Sequence, residues 1–298
     1  MGTGRQFYKE LEKTILSVSL FVIAIIILFP LLLTVTNSFM SEQEITDSYS
    51  MVAVKDQVPE KDSFAGKYAD VKLIPSMVTV KQYYYVLIKE TQFLMKFWNS
   101  VFLAAPIILG QLLVASMAAY AFSKQKFIFR DKLFFAYIII MMMPFQVTLV
   151  PNYIMVGKLG LMGNYLSIIL PGIFSTFGVF LLRQFMMYIP DAYIESAKVD
   201  GANQFRIFCS IILPMSKTGL AALAILVFID NWNMVEQPLV FLQDVNKHPL
   251  SIYLSSINEG ERGIAFAAST IYMLPMLLVF LYGENYLVQG IQLSGLKG

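Results

Sequence analysis

Charge is missing from this chain in whole blocks, and that absence limits what it can fold into. Five uncharged stretches, Thr14 to Ser41, Phe97 to Ser123, Leu133 to Gly157, Leu159 to Leu182 and Gly263 to Gly283, are long enough to cross a bilayer. The requirement is roughly 20 apolar residues, because each helical residue rises about 1.5 Å through a hydrocarbon core about 30 Å thick. A sixth stretch runs from about Ile211 to Trp232, interrupted near its start by Lys217, whose ammonium can reach the interface on its flexible stem. Hydrocarbon offers no water to open backbone groups, so segments of this kind must be helical. The sequence predicts an all-α membrane protein with six transmembrane helices. Only 14% of its 298 residues are charged, where a soluble domain carries about a quarter.

The first stretch follows Arg5, Lys9 and Lys13 and could be mistaken for a signal peptide. Its apolar run exceeds the 7–15 residues usual there, and no small-x-small cleavage site follows Pro30, so it is expected to remain as an anchor. Basic residues are retained on the cytoplasmic side. Arg5, Lys9 and Lys13 precede span one; Lys124, Lys126, Arg130 and Lys132 crowd the loop after span two. Arg183, Lys198, Arg206 and Lys217 lie between spans four and five, and Lys297 follows span six. Both termini are therefore predicted to be cytoplasmic. The resulting division is a cytoplasmic N-terminus (1–13), a first transmembrane helix (14–36), an extracytoplasmic loop (37–96), a five-helix core (97–290) and a cytoplasmic tail (291–298). Within the loop, 80–95 is aromatic-rich and reads either as an interfacial helix or as an aromatic belt leading into span two. Pro106, Pro144, Pro171 and Pro275 fall inside spans, where proline removes a backbone donor and kinks the helix. The Met141 to Met143 run reads chiefly as adaptable packing.

Several chemistries are excluded or disfavoured. One cysteine, Cys209, and one histidine, His248, give neither a disulfide framework nor a metal cluster. No Gly-rich phosphate loop ending in Gly-Lys-Ser/Thr is present, so whatever energy drives the protein comes from elsewhere. A net charge of +2 and the lack of a basic stripe speak against nucleic acid. An intramembrane enzyme would need paired catalytic groups within spans. An ion-coupled secondary transporter would need intramembrane carboxylates or broken half-helices, and the cores of spans one to four hold no ionisable residue.

The most patterned segment lies between spans four and five, at 189–214. Pro190 can open a helix, since its missing donor costs nothing there, and Asp191 and Glu195 occupy the early turns. Gly201 can close it in the left-handed conformation. A second short helix is expected from Asn203 to Ser210, with Phe205 and Phe208 on one face at i, i+3 spacing. This makes a helix–turn–helix elbow, too polar to span and too patterned to be a tether.

Within it, Glu-x-Ala-x-x-x-Gly, then nine residues, then Ile-x-Leu-Pro is spelled by Glu195, Ala197, Gly201, Ile211, Leu213 and Pro214. That string resembles the "EAA" loop of ABC importer inner-membrane permeases. The similarity extends over nearly the whole chain to the second, maltose-type permease of the carbohydrate-uptake branch: Tyr120-Ala121-Phe122-Ser123, Met143-Pro144-Phe145-Gln146, Phe180 to Phe185, Trp232-Asn233 and the glycine-punctuated end Gly290 to Gly298. The resemblance implies that Glu195, Ala197, Asp200, Gly201, Ala202, Phe205, Phe208, Leu213 and Pro214 couple the spans to an ATPase. Glu195 would contact that partner and Gly201 would supply the turn. It also implies the partners: a second homologous permease, a cytoplasmic ATP-binding-cassette ATPase dimer, an extracytoplasmic solute-binding protein and a sugar substrate, in the plasma (inner) membrane of a prokaryote. ATP and Mg would reside on the ATPase, leaving this chain without cofactor or catalytic residue of its own. The departures are Ser196 in place of the second alanine, Thr218 where proline is common, which predicts a straighter fifth span, and a longer polar insertion at 41–80.

Sugars are held by an aromatic face and by amide or carboxylate hydrogen bonds. Asp230, Asn231, Trp232, Asn233, Glu236 and Gln237 bring that chemistry to the outer end of span five, and Asn231, Trp232, Asn233 and Glu236 are the candidate substrate-path residues. The competing reading makes Trp232 an interfacial anchor and its neighbours a solvated helix end.

Overall fold

The computed structural model describes residues 2–53, 72–257 and 261–295, with side chains at 10–49, 72–257 and 261–287. Residues 54–71 of the polar insertion and the side chains of the 291–298 tail therefore lie outside the described residues. Among the described residues all regular structure is helical.

Helix α1 (Gly2–Asn37) is apolar on every side. Ile15, Phe21, Ile26 and Ile27 are each more than 60% exposed. A helix with such an apolar surface is suited to burial in lipid or against another chain. Four helical segments are long and apolar enough to cross a membrane: Glu10–Asn37, Thr91–Lys124, Leu166–Met187 and Arg262–Leu287. Two further crossings are possible only as bent pairs, Arg130–Met141 with Phe145–Lys158 (101°) and Gln204–Met215 with Lys217–Trp232 (74°). The six apolar stretches are thus four long segments and two broken ones. The 101° bend falls at Pro144, whose extended ψ of 140° ends any helical path and whose ring disfavours helix at Met143. Pro106 and Pro275, by contrast, sit inside continuous helices. In the fifth span a 74° bend lies at Ser216, ahead of Thr218, and from Lys217 to Trp232 the helix runs through Thr218 without a break.

The chain divides into two compact units. The first, residues 1–91 and 256–273, holds α1, α2 (Glu42–Ala53) and α3 (Lys81–Tyr84), which runs on as a π turn over Tyr85–Lys89. Its polar contacts are local: Ser38 Oγ to Tyr83 Oη at 2.6 Å, and Gly263 N donating to Glu42 Oε2 at 3.2 Å.

The second unit, residues 92–255 and 274–298, is the bundle proper. It contains α4 (Thr91–Lys124), α5 (Arg130–Met141), α6 (Phe145–Lys158), α7 (Leu166–Ile173) and α8 (Thr176–Met187). After these come α9 (Asp191–Val199), α10 (Gln204–Ile207), α11 (Leu213–Met215), α12 (Lys217–Trp232), α13 (Glu236–Phe241) and α14 (Leu250–Ser255). Helix α15 (Arg262–Gly295) contributes its second part. Its core is aliphatic and aromatic, with Leu103, Ile168, Leu182, Ile207, Ile212 and Leu223 fully buried. Helices α4 and α7 approach closely by exchanging small for large: Ile173 fills the space beside Gly110, and Ile107 the space beside Gly172. Small residues at membrane helix contacts gain van der Waals packing where lipid removes the hydrophobic drive.

Helix α4 is the ruler of this unit. Its 34 residues extend about 50 Å, more than a full bilayer with headgroups. Near its start Asn99 donates to the carbonyls of Asn246 (2.6 Å) and His248 (3.0 Å), accepts from Tyr165 Oη (2.9 Å), and Lys96 donates to the Val245 carbonyl. At its far end Lys124 meets the α9 elbow. The 245–248 turn and the elbow are therefore at opposite ends of the bundle.

Candidate functional site

The elbow is built almost as the residue pattern requires. Pro190, extended at ψ 134°, precedes α9. The helix ends in a complete Schellman cap: Gly201 N donates to Lys198 O at 3.0 Å and Ala202 N to Ala197 O at 2.9 Å. Gly201 has φ +77°, in the left-handed region that other residues avoid. Ala197 and Ala202 close the cap with their methyl groups against the core. Asn203 then caps α10, its side-chain oxygen accepting from Arg206 N at 2.8 Å.

The second arm differs from the expected Asn203 to Ser210 helix. After one α turn the chain widens into a π turn over Phe208–Ile212 before α11. Phe205 and Phe208 also part company. Phe208 is buried, its ring 5.4 Å from Tyr120, while Phe205 is 72% exposed. Spacing alone places the two on one face, but only Phe208 finds an aromatic partner. Leu213 is half-buried and Pro214 exposed.

Three side chains to which the sequence reading gave no part in the elbow, Tyr120, Lys124 and Gln125, hold it to the end of α4. Lys124 Nζ donates to Ile189 O (2.5 Å) and to Asp191 Oδ1 (2.7 Å). Tyr120 Oη and Gln125 Nε2 both donate to Gln204 Oε1, each at 2.8 Å. Lys124's hydrogen bond and charge hold the Asp191 carboxyl below its ordinary value of 3.8. With Ile194, Ile207 and Ile212 buried beneath it, the elbow is a packed lever rather than a loose loop. Its outer side presents Tyr193, Glu195, Val199, Asp200 and Phe205, all exposed. This outer side sets apolar and aromatic side chains beside two carboxylates.

The second feature is a cavity of about 770 Å³ between α4, the α5–α6 bend, the α7–α8 break, α12 and α13. Its wall combines Gln111, Asn152, Thr176, Asp230, Asn231 and Gln237 with Phe145, Phe174, Phe177 and Phe241. Of the four predicted path residues only Asn231 lines it. Trp232 is 1% exposed, packed at 5.5 Å from Phe97 and 5.3 Å from Phe228; a partly apolar ring in an aromatic nest gains more there than at a wet wall. Asn233 donates back to Ile229 O at 2.9 Å, and Glu236 accepts from Gln146 at 3.3 Å. Gln111 went unremarked in the sequence, though a lone amide in an apolar span is the usual sign of a polar path.

Comparison with known proteins agrees with this architecture. The family model described as "Binding-protein-dependent transport system inner membrane component" matches residues 111–292. The arabinooligosaccharides transport system permease protein AraQ of Halalkalibacterium halodurans is 31% identical over 227 residues, 75% of this chain and 81% of that one. The sn-glycerol-3-phosphate transport system permease protein UgpE of Pectobacterium atrosepticum is 34% identical over 206 residues, 67% and 73% of the respective chains. A chain of a crystallised bacterial ABC transporter involved in import of the acidic polysaccharide alginate superposes with a TM-score of 0.76 over 94% of this chain and 97% of its own, at 22% identity, which speaks to fold alone. With the glycine-capped elbow inside the matched segment, the chain belongs to the binding-protein-dependent transport system inner membrane component family, the permease subunits of ABC importers.

Proposed function

We propose that this chain is one of two permease subunits of a prokaryotic plasma-membrane importer that takes up a sugar or oligosaccharide by ATP-driven alternating access. The observation that carries the reading is the elbow, rigidly capped at Gly201 and bolted to α4 through Lys124, Tyr120 and Gln204. A separate motor gripping the exposed face at Tyr193, Glu195 and Phe205 would move α4 and α12 as connected levers instead of bending a tether. Ala197, Gly201 and Ala202 shape the turn; Phe208 and Leu213 transmit the push inward; Pro214, two residues before the 74° bend at Ser216, marks where it changes direction. The bias of short-loop Lys and Arg towards the elbow's side supports a cytoplasmic position for this surface and for both termini. The 245–248 turn then faces outward, towards a solute-binding protein. Alternating access requires the binding protein and ATP each to favour different states of the bundle.

The AraQ similarity supports a carbohydrate. A second reading, a phosphorylated polyol, is favoured by the similarity to UgpE. The test of coupling is co-expression with the second permease, the ATPase and the binding protein, followed by Glu195→Ala. ATP hydrolysis detached from uptake, or lost assembly with intact membrane insertion, is expected. Full ATP-dependent uptake in this variant overturns the elbow's role.

A further inference from the structure

The large cavity has a one-sided charge. Among the described residues no Lys, Arg or His lines it, and its one ionisable group is Asp230, whose carboxylate forms no ion pair or hydrogen bond with any of them. Beside the same wall, Gln146 carries a second carboxylate, Glu236, at 3.3 Å. The opposing influence is the start of α8, which reaches the cavity at Ser175 and Thr176. A helix N-terminus is worth about half a positive charge, and here the Ser175 hydroxyl already accepts from Gly178 N at 3.3 Å. About half a unit of positive charge, partly satisfied, is outweighed by a full negative one in the same space.

The neutral polar groups point to what would be welcome. Gln111 is 5% exposed, lines the cavity and has no side-chain hydrogen bond among the described residues. Its amide is not sealed off from the cavity space, so its donors and acceptor are open to the hydroxyls of a solute. Asn231 donates one amide N–H to Val227 O at 2.7 Å, leaving its second N–H to donate and its oxygen to accept. Phe174 and Phe177 supply apolar faces beside these amides. The volume falls within the range of small-molecule sites, roughly 300–1,000 Å³.

We infer that this cavity takes an uncharged polyhydroxy solute and that Asp230 excludes carboxylated or phosphorylated ones: Gln111 and Asn231 hydrogen-bond hydroxyls, the phenyl rings cover C–H faces, and the Asp230 carboxylate accepts from hydroxyls while repelling anions. This rests on the permease reading and decides between its two substrate classes.

The test uses the detergent-solubilised complex of this chain with the second permease and the ATPase, without binding protein, so that the cavity alone selects. Saturation-transfer NMR compares arabinotriose with trigalacturonate, a trisaccharide of similar size bearing carboxylates. The expected preference for arabinotriose is about fivefold, the size that repulsion between like charges a few ångströms apart reaches at an exposed carboxylate such as Asp230. Asp230→Asn, nearly isosteric, should shrink that preference, and Asp230→Lys should reverse it. Gln111→Leu should weaken arabinotriose binding. Equal binding of both probes by the wild type, binding of neither, or a ratio unmoved by Asp230→Asn overturns the inference. ATP-driven uptake in proteoliposomes separates the failures: uptake that is charge-blind sinks this inference alone, whereas uptake needing no ATP sinks the permease reading.

Discussion

Gly201 offers a perturbation whose cost can be worked out from local geometry. Its φ of +77° lies in the left-handed region, and nothing stands within 4 Å of where a Cβ would be placed. A side chain there meets no neighbour, so the cost of substitution is torsional. For an ordinary L residue that cost is about 1–2 kcal/mol; asparagine, which tolerates the region, pays less, and β-branched valine more. Since 1.4 kcal/mol is tenfold in an equilibrium constant, Gly201→Ala should raise local opening of the cap roughly 5- to 30-fold. Gly201→Val should exceed that, and Gly201→Asn should fall well short. The two cap amides, Gly201 N and Ala202 N, report this directly through hydrogen exchange in the purified complex. Coupling of ATP hydrolysis to uptake should decline in the same order. The reasoning fails if the effects track side-chain size instead, with Asn as damaging as Val, or if Val leaves amide protection unchanged.

Other substitutions probe the remaining parts. Trp232→Ala should cost about 3–5 kcal/mol as a large core truncation, seen as a lower thermal midpoint and yield; a normal midpoint with lost solute selectivity would return Trp232 to the substrate path. Lys124→Ala leaves the Ile189 carbonyl without its partner, at about 1–3 kcal/mol, and should speed hydrogen exchange at the start of α9, a change that unaltered protection would contradict. Asp191, depressed by Lys124, contributes stability that is present above its unfolded value and lost as pH falls through the folded one. The difference between wild type and Asp191→Asn should therefore be constant from neutral pH down and vanish only below roughly pH 4; a difference that disappears near pH 6 would contradict the pairing. Gly110→Val should overpack against Ile173 by about 1–3 kcal/mol, with recovery in the double variant carrying Ile173→Ala, and an absence of recovery would show that the two do not share that space.

What the linear pattern carried was whatever depends on runs and single conformations. Apolar length alone made α1 a helix for lipid, because its surroundings are uniform and need no particular neighbour. Pro190 and Gly201 announced the elbow because their backbone preferences act within one turn. Pairing was beyond it. Phe205 and Phe208 are alike in the chain, and only Tyr120, 5.4 Å from one of them, makes one buried and leaves the other at the surface. Trp232 carried the chemistry of a sugar platform, but Phe97 and Phe228, distant or adjacent in sequence, enclose it. Gln111 and Asp230, 119 positions apart by their numbers, acquire a common role only because the breaks at Pro144 and Phe174 open a space that both can face. Local torsion and hydrophobic length are written residue by residue, whereas burial and the sharing of a cavity are properties of what the bundle brings alongside.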